Sequence, residues 1–421
     1  MKEKTKKIIA KTVSLCLCGA FVAGAASFAG CAGKRDPDTV YISRWALEWE
    51  KPLFEAWTAE FEAQNPDIDV EWEFTPYTAH FDRLRTDLLS GDAADIIFVN
   101  NWGWEPYSEI DVFEDLGAVE SLSATRSGLL ADAQNAFRQG DKVVGIPIGL
   151  VSRVPVVGTA DFEKADVEIP YDRDTAFTGD ELVGLLGGVA DSVGKAMGIN
   201  ITLTDALFSF LASVGAPLIE DGKILCNTPD GIRAVQEFYD FATSGRVVPL
   251  SQSYGGMYGT ADNAVMTGTC VAGYTNPGGL KSLLDSGWDI ATIPGVKAEG
   301  GDDVVLADFN TLVVPKFSKV KEKAYKVIEW MLSKEAQLDY AVFSDLPTNA
   351  EAFEEVMNDD ANWDPTLYSA YGVGIDNLYV PPALSTDFQT FLGGCLKNLL
   401  DGAIDAEEFC RKMQEEGEAY L

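Results

Sequence analysis

The chain holds a single histidine, His80, in 421 residues. Hydrolysis through a histidine base, zinc sites built on several imidazoles and two-histidine iron sites must all draw on that one side chain or be absent. Its position beside Thr78, at the expected start of a helix, points to a solvated residue and not to a catalytic base. Positive charge is scarce as well: 32 Lys plus Arg stand against 66 Asp plus Glu, a formal charge of −34. That field repels phosphate backbones, and no local basic patch offsets it, so nucleic acid is not an expected partner. The acidic excess reads as solvated surface. Cysteine is sparse too. Cys16, Cys18 and Cys31 sit in the N-terminal segment, which leaves Cys226, Cys270, Cys395 and Cys410 for the body of the chain. Four such residues are no disulfide framework and match no C-x-x-C metal spacing, so buried free thiols are expected. Only Cys395 and Cys410 lie near one another in sequence.

What is abundant is apolar bulk. Hydrophobic residues make up 47% of the chain, with 9 Trp, 14 Tyr and 22 Phe, enough for more than one sizeable core. Lys2, Lys4, Lys6, Lys7 and Lys11 precede an uncharged run from Thr12 to Gly30 that ends Phe28-Ala29-Gly30-Cys31. This is the order of a secretory signal. Small residues directly before a cysteine resemble the bacterial lipobox, so Cys31 is the expected lipidation site and mature N-terminus. Phe28 replaces the leucine usual there. The run is also long enough for a retained membrane anchor, and either way the body lies outside the membrane. Residues 31–38 are short and polar, as a tether should be.

Val40 and Ile42 alternate. Pro52 then opens a helix-periodic run that stops at Asn65-Pro66. Val70, Trp72 and Phe74 alternate with Glu71 and Glu73, a helix is expected over Phe81–Leu89, and Ile96-Ile97-Phe98-Val99 reads as a doubly covered strand. The order β-α-β-α-β implies an open parallel sheet, with ligands beyond the carboxyl ends of its strands. Trp45 and Trp49 follow the first strand, and Asn101, Trp102 and Trp104 follow the third. Amphipathic rings and amides at two strand ends of one sheet edge suit a ligand face.

Further along, 161–178 reads as loop and Ala206–Val214 as an apolar helix. Thr228-Pro229 reads as a helix cap followed by a first-turn proline. The runs SQSYGGMYG (251–259) and GYTNPGG (273–279) read as binding loops carrying Tyr254, Tyr258, Tyr274 and Asn276. Asp308 and Asn310 interrupt an otherwise apolar strand. A helix through Ala324, Val327, Ile328 and Met331 and two more carry the chain to Leu421.

The segments FAGC, FEAQNPDIDVEWEF, LLSGDAADIIFVN, GDKVVGIPIG, NTPDGIRAVQEFYDFATSG, WDIATIPG, NTLVVPKFSKVKEKAYKVIEWMLSKEAQ and DLPTN, in this order, resemble the family 1 extracellular solute-binding proteins, the carbohydrate receptors of ABC importers. The family pattern departs after GIPIG, where VSRVPVVGTADFEKADVEIPYDRDTAFTGDELVG replaces the usual segment, so the second-lobe loops and the ligand are expected to differ. The resemblance implies a two-lobed α/β periplasmic-binding-protein-like fold that closes on a ligand by hinge motion. Residues 39–150 with 293–333 would form one lobe, and 151–292 with 334–421 the other. It also implies a carbohydrate ligand, expected to be an oligosaccharide, handed to ABC permease subunits by a lipid-anchored monomer that needs no cofactor or metal. Sugar recognition gives aromatic rings the C–H face of a pyranose and gives carboxylates and amides its hydroxyls. The expected ligand residues are Trp45, Trp49, Asn101, Trp102, Trp104, Asp308 and Asn310 in one lobe, and Tyr254, Tyr258, Tyr274, Asn276 and Tyr371 in the other. Two rivals remain: an anchored glycoside hydrolase using carboxylates such as Glu48, Glu50 or Asp308, and a receptor for a metal ion or polyamine.

Overall fold

The computed structural model describes residues 36–45, 50–108, 110–199, 203–220, 222–247, 268–382 and 384–421. Cys31, Glu48, Trp49, Tyr254 and Tyr258 lie outside the described residues, and of Trp102 only the helical backbone is described. The chain divides into two compact units. One takes the described residues up to Leu150 together with Phe309–Trp363, and the other takes Val151–Asp308 with Asp364–Leu421.

The first unit is built on the expected parallel strands. Thr39–Trp45 pairs in parallel with Asp69–Thr75 on one side and with Ile96–Asn100 on the other. The return strand Val305–Val313 then runs antiparallel to the third, with Asn310 opposite Asn100. Lys142–Ser152 and the short Leu346–Pro347 complete the order. The middle strand, Ile96–Asn100, is buried throughout, as its unbroken apolar sequence requires. Helix Lys51–Gln64 carries Pro52 in its first turn and buries Leu53, Phe54, Trp57 and Phe61, which are spaced to share one face.

The second helix runs Tyr77–Ser90, one turn earlier than its apolar spacing suggests, and this changes the reading of His80. The side chain is 3% exposed, not solvated. Its ring nitrogen Nε2 lies 2.8 Å from the Phe98 carbonyl. A carbonyl can only accept, so Nε2 carries the proton and Nδ1 faces the Ser43 hydroxyl at 3.4 Å. Burial, aided by the charges of Arg44 and Arg83 and opposed by the Phe98 bond, lowers the imidazole pKa to about 4.

The segments of this unit differ from those expected. Residues 293–308 belong to the second unit, and 334–363 to the first. The reason is packing: helix Lys334–Phe343 lies against helix Lys51–Gln64, with the Tyr340 and Trp57 rings 5.7 Å apart.

In the second unit a four-stranded sheet has Val154–Gly158 and Cys270–Thr275 at its centre, antiparallel to one another. Ile290–Thr292 and Ala196–Gly198 form its edges. Helix Gly179–Val193 starts with a reciprocal cap, Thr178 accepting from the Glu181 N–H while Glu181 accepts from that of Thr178. Helix Pro229–Ala242 begins as expected, with Thr228 accepting from the Gly231 N–H.

Three expectations need correction here. The stretch read as loop from 161 to 178 contains the end of helix Thr159–Ala165 and strand Phe177–Thr178. GYTNPGG is no loop: Gly273-Tyr274-Thr275 end a strand, Asn276 caps a helix by accepting from Gly279 N–H at 2.9 Å, and Pro277 occupies its first turn. Among the described residues five helices, not two, follow Leu332: Lys334–Phe343, Ala350–Asn358, Pro365–Gly372, Thr386–Leu400 and Ala406–Lys412.

The four body cysteines are free and buried. Cys410 neighbours Cys226, which lies far from it in sequence, and that contact together with burial raises the Cys226 thiol pKa. No helix among the described residues is long and apolar enough to cross a membrane.

Candidate functional site

Each unit holds an arginine-carboxylate pair near a strand end, and the two differ in openness. In the first unit Arg44, next to the last residue of the first strand, is 1% exposed. Its Nη2 donates to Glu50 Oε1 at 2.6 Å, and its guanidinium lies 4.6 Å from the Phe54 ring and 4.7 Å from that of Phe98. Burial works against the charge, yet Tyr340, Glu50 and Asp345 together hold the Arg44 pKa above its ordinary value. Asp345 accepts from Asn310 Nδ2 at 2.7 Å and from the Tyr340 hydroxyl at 2.9 Å, and it lies 3.2 Å from the Ser344 hydroxyl, whose single proton it shares with Glu50. Burial nevertheless outweighs Arg44 and these donors and raises the Asp345 pKa. Only Arg44 Nε lacks a partner among the described residues of this network. Arg44, Glu50, Asn310, Ser344 and Asp345 are all buried, which makes the network a closed polar core.

The expected ligand residues of this unit fall around that core. The Trp45 indole is 8% exposed, with the rings of Tyr77, His80 and Phe81 5.3 to 5.4 Å away. Trp104 packs on Phe113 and Phe137. Both rings are therefore core aromatics, not the open platforms expected of them. Asn101 is half-buried, and its Oδ1 accepts from the Phe309 N–H at 3.0 Å. Asn310 is held by Asp345, which explains why a polar residue interrupts an apolar strand. Glu50, a carboxylate weighed for hydrolysis, is occupied by Arg44 and by Ser344 at 3.0 Å.

The second unit presents an actual cavity, of about 40 Å³. Ser152 and Arg153 enter it from the strand that ends at Ser152 and the residue after it, Asp205 and Ser209 from helix Leu203–Ser213, Tyr274 from strand Cys270–Thr275, and Tyr371 from helix Pro365–Gly372. Arg153 Nη1 stands 3.8 Å from Asp205 Oδ2, with side-chain exposures of 29% and 12%. At that separation the two attract without a good hydrogen bond between them. Asp205 sits in the first turn of its helix, where the exposed N–H groups favour a negative charge.

The Tyr274 phenol is kept neutral. Burial first, then Asp205, raises its pKa, with Arg153 opposing. A Cβ at Gly295 would stand 3.4 Å from its hydroxyl, so the glycine keeps that oxygen uncrowded. Tyr371, also in the cavity wall, donates its hydroxyl to the Thr275 carbonyl at 3.0 Å.

The structure thus brings Tyr274 and Tyr371 together and leaves the other described candidates elsewhere. Asn276 is a helix cap, and Asp308 is buried in the second unit at the point where the chain returns to the first. Sequence reasoning missed Ser152, Arg153, Asp205 and Ser209. A signal existed for two of them, because Ser152-Arg153 interrupts GIPIGLV-SR-VPVV in the same way that Asp308 and Asn310 interrupt their strand. Asp205 gave none, since an acid in the first turn of a helix has a sufficient local reason.

Fold and cavity define a two-lobed α/β binding protein of the periplasmic-binding-protein type. The bacterial extracellular solute-binding protein family matches residues 48–338, and the chain belongs to that family. Among solved structures it is similar to a Listeria monocytogenes ABC substrate-binding protein in complex with cycloalternan, at 18% identity and a TM-score of 0.72, covering 90% of this chain and 98% of that one. A maltose-bound T. maritima protein gives 18% and 0.72, with 91% and 100% covered. The cyclic α-maltosyl-1,6-maltose binding protein of Arthrobacter globiformis gives 16% and 0.73, with 91% and 99% covered. A Brucella abortus binding protein is 22% identical over 320 residues, 74% of each chain. The family and these neighbours are binding proteins.

Proposed function

We propose that this protein is the extracytoplasmic receptor of an ABC importer for carbohydrate, that it captures an oligosaccharide without altering it, and that it passes the sugar to permease subunits. The observation that carries this reading is the second-unit cavity. Residues that carry a guanidinium, a carboxylate, two hydroxyls and phenolic rings line it together, the mixture of donors, acceptors and apolar surface that a polyol needs. At about 40 Å³ the cavity has room for roughly three waters. It therefore seats one edge of a pyranose and leaves the rest of a longer sugar outside it. The structural neighbours recorded with cycloalternan and maltose, and the one named a cyclic α-maltosyl-1,6-maltose binding protein, support the same class of ligand.

The N-terminal charge order and Cys31 support anchoring by lipid at the outer face of the cell membrane, with a monomer as the working form. Replacing Cys31 by Ser and measuring release of the protein from the membrane fraction tests the anchor.

The function is tested by thermal unfolding against a panel of mono- and oligosaccharides, with each sugar analysed afterwards. A ligand that binds only the native state must raise Tm. A rise for one sugar class, with the sugar recovered intact, is the expected result. A sugar returned cleaved points to hydrolysis by carboxylates instead. A Tm moved by spermidine or a metal ion and by no sugar points to a different cargo.

A further inference from the structure

We propose that Cys226 and Cys410 are a disulfide site, closed outside the cell membrane by exchange with a disulfide-bearing oxidant, and that the bridge clasps the C-terminal segment onto the body of the second unit. The nature of the ligand has no part in this. Membership of an extracellular family sets the chain in the kind of compartment where disulfides form and persist.

The second unit is assembled from two stretches of chain, Val151–Asp308 and Asp364–Leu421. The second stretch ends in short pieces: helix Ala406–Lys412, one π-helical turn over Met413–Gly417 and a 3-10 turn over Glu418–Tyr420. Terminal pieces of this length fray unless something ties them down. Three side chains of this ending, Cys410, Gln414 and Glu418, all meet residues 224–227 of the first stretch. The Ile224 N–H donates to Glu418 Oε1 at 3.4 Å, Asn227 Nδ2 donates to Gln414 Oε1 at 2.7 Å, and the Cys226 thiol meets that of Cys410. Helix Ala406–Lys412 also packs on helix Pro229–Ala242, which begins just after Cys226. The backbone at Cys226 is held in place. Its carbonyl accepts from the Thr228 N–H at 2.9 Å, and a Cβ at Gly231 would stand 2.1 Å from that oxygen. Both cysteines are thus fixed on packed backbone with their side chains turned to one another. Of the other two, Cys395 lies beside Lys412 and Glu416, and Cys270 packs on Gly198.

The structure holds the dithiol form, and in it both residues are 0% exposed. A protonated, buried thiol is a poor nucleophile, so exchange belongs to the stage before the C-terminal segment docks. One cysteine thiolate then attacks a sulfur of the oxidant's disulfide, which gives a mixed disulfide and releases one oxidant thiol. The second cysteine thiolate attacks the cysteine sulfur of that mixed disulfide and releases the other. Two electrons pass from the cysteines to the oxidant, and the two thiol protons end on its sulfurs; glutathione disulfide is an oxidant of this class. Docking then buries the new bond away from reductants. The loop it closes is long, so it removes much freedom from the unfolded chain.

The test takes the full chain exported to an oxidising bacterial periplasm and collected without reductant. It is unfolded in guanidinium with iodoacetamide present, digested and weighed by mass spectrometry. A peptide pair joining Cys226 to Cys410, two hydrogens lighter than its separate halves, is the expected result, with Cys270 and Cys395 alkylated. The clasp is then read by comparing the bridged chain with the same chain refolded under reductant. Amides of Ala406–Lys412 should exchange about tenfold more slowly in the bridged form, and its urea midpoint should be higher. The double variant Cys226→Ala, Cys410→Ala should have a urea midpoint that reductant does not move; the comparison of the two natural forms stands even if that variant does not fold.

Four alkylated thiols among Cys226, Cys270, Cys395 and Cys410 in the exported chain would overturn the proposal, as would a bridge through Cys270 or Cys395. A Cys226–Cys410 bridge that changes neither the exchange of Ala406–Lys412 nor the urea midpoint would overturn the clasp.

Discussion

Arg44 and Arg153 show what distance and exposure do to one chemical motif. Each is an arginine beside a carboxylate at the end of a strand. Arg44 and Glu50 meet at 2.6 Å with side chains 1% and 7% exposed, whereas Arg153 and Asp205 stand at 3.8 Å with 29% and 12%. In the first unit the guanidinium is roofed by two phenyl faces, and the surrounding carboxylates are already answered by Ser344, Tyr340 and Asn310. A pair so enclosed can hold a core together and has no face for a ligand. In the second unit the same groups border a cavity. Charge alone therefore does not separate the two pairs; enclosure against placement in a cavity wall does.

The contrast predicts its largest effect at Arg44. Arg44→Met should cost about 3–5 kcal/mol of stability, because it leaves Glu50 and Asp345 buried without their cation. Urea unfolding measures it. Adding Glu50→Gln and Asp345→Asn should recover much of the loss, since both uncompensated charges are then gone. No recovery would mean that Arg44 acts by filling space between Phe54 and Phe98, and the comparison of the two pairs would lose its electrostatic basis.

His80 belongs to the same closed core and gives the next effect. Its folded pKa of about 4 lies below the ordinary value of 6.5, so the unfolded chain binds the extra proton more readily. The stabilising contribution is complete above pH 6.5 and is lost as pH falls toward 4, by about 3 kcal/mol in all. His80→Gln can still donate to the Phe98 carbonyl and should flatten this part of the pH profile relative to the unaltered protein. Profiles that remain parallel between pH 4 and 6.5 would show that the imidazole is protonated within the fold.

In the second unit Tyr371→Phe should cost about 1 kcal/mol by leaving the Thr275 carbonyl without its donor. The ring in the cavity wall is unchanged, so sugar affinity should shift less than threefold. A larger loss of affinity than of stability would place the hydroxyl itself on the ligand and redraw the cavity wall.

How far the sequence carried this result depended on whether local pattern and burial agreed. The first three strands were legible because Val70, Trp72 and Phe74 alternate and Ile96–Val99 is unbroken, and the Thr228-Pro229 cap is read from two residues alone. Cys270–Thr275 was not legible as a strand. Apart from Val271 and Tyr274 its residues are small or polar, they show no alternation of buried and exposed positions, and the Asn276-Pro277 that follows looks like a loop until it is seen to cap a helix. The tryptophans misled for a related reason: an indole following a strand can swing out over a ligand or back into the core, and Trp45 and Trp104 swing back. Family resemblance pointed to the two-lobed fold and to aromatic ligand residues, while the cavity wall also carries Arg153 and Asp205.

The smallest expected effect on stability comes from the open pair, and there the two arginines separate most clearly. Arg153→Met removes a charge whose partner is at 3.8 Å and partly solvated, so unfolding in urea should change by no more than about 1 kcal/mol. Asp205 keeps its place in the first turn of the helix, where the backbone N–H groups still favour it. Ligand binding should respond far more, because a guanidinium is lost from the cavity wall. A variant that folds like the unaltered protein and loses sugar binding assigns Arg153 to recognition. A variant destabilised as severely as Arg44→Met would make the second pair another piece of core, and the cavity would then have to bind through Tyr274, Ser152 and Ser209 alone.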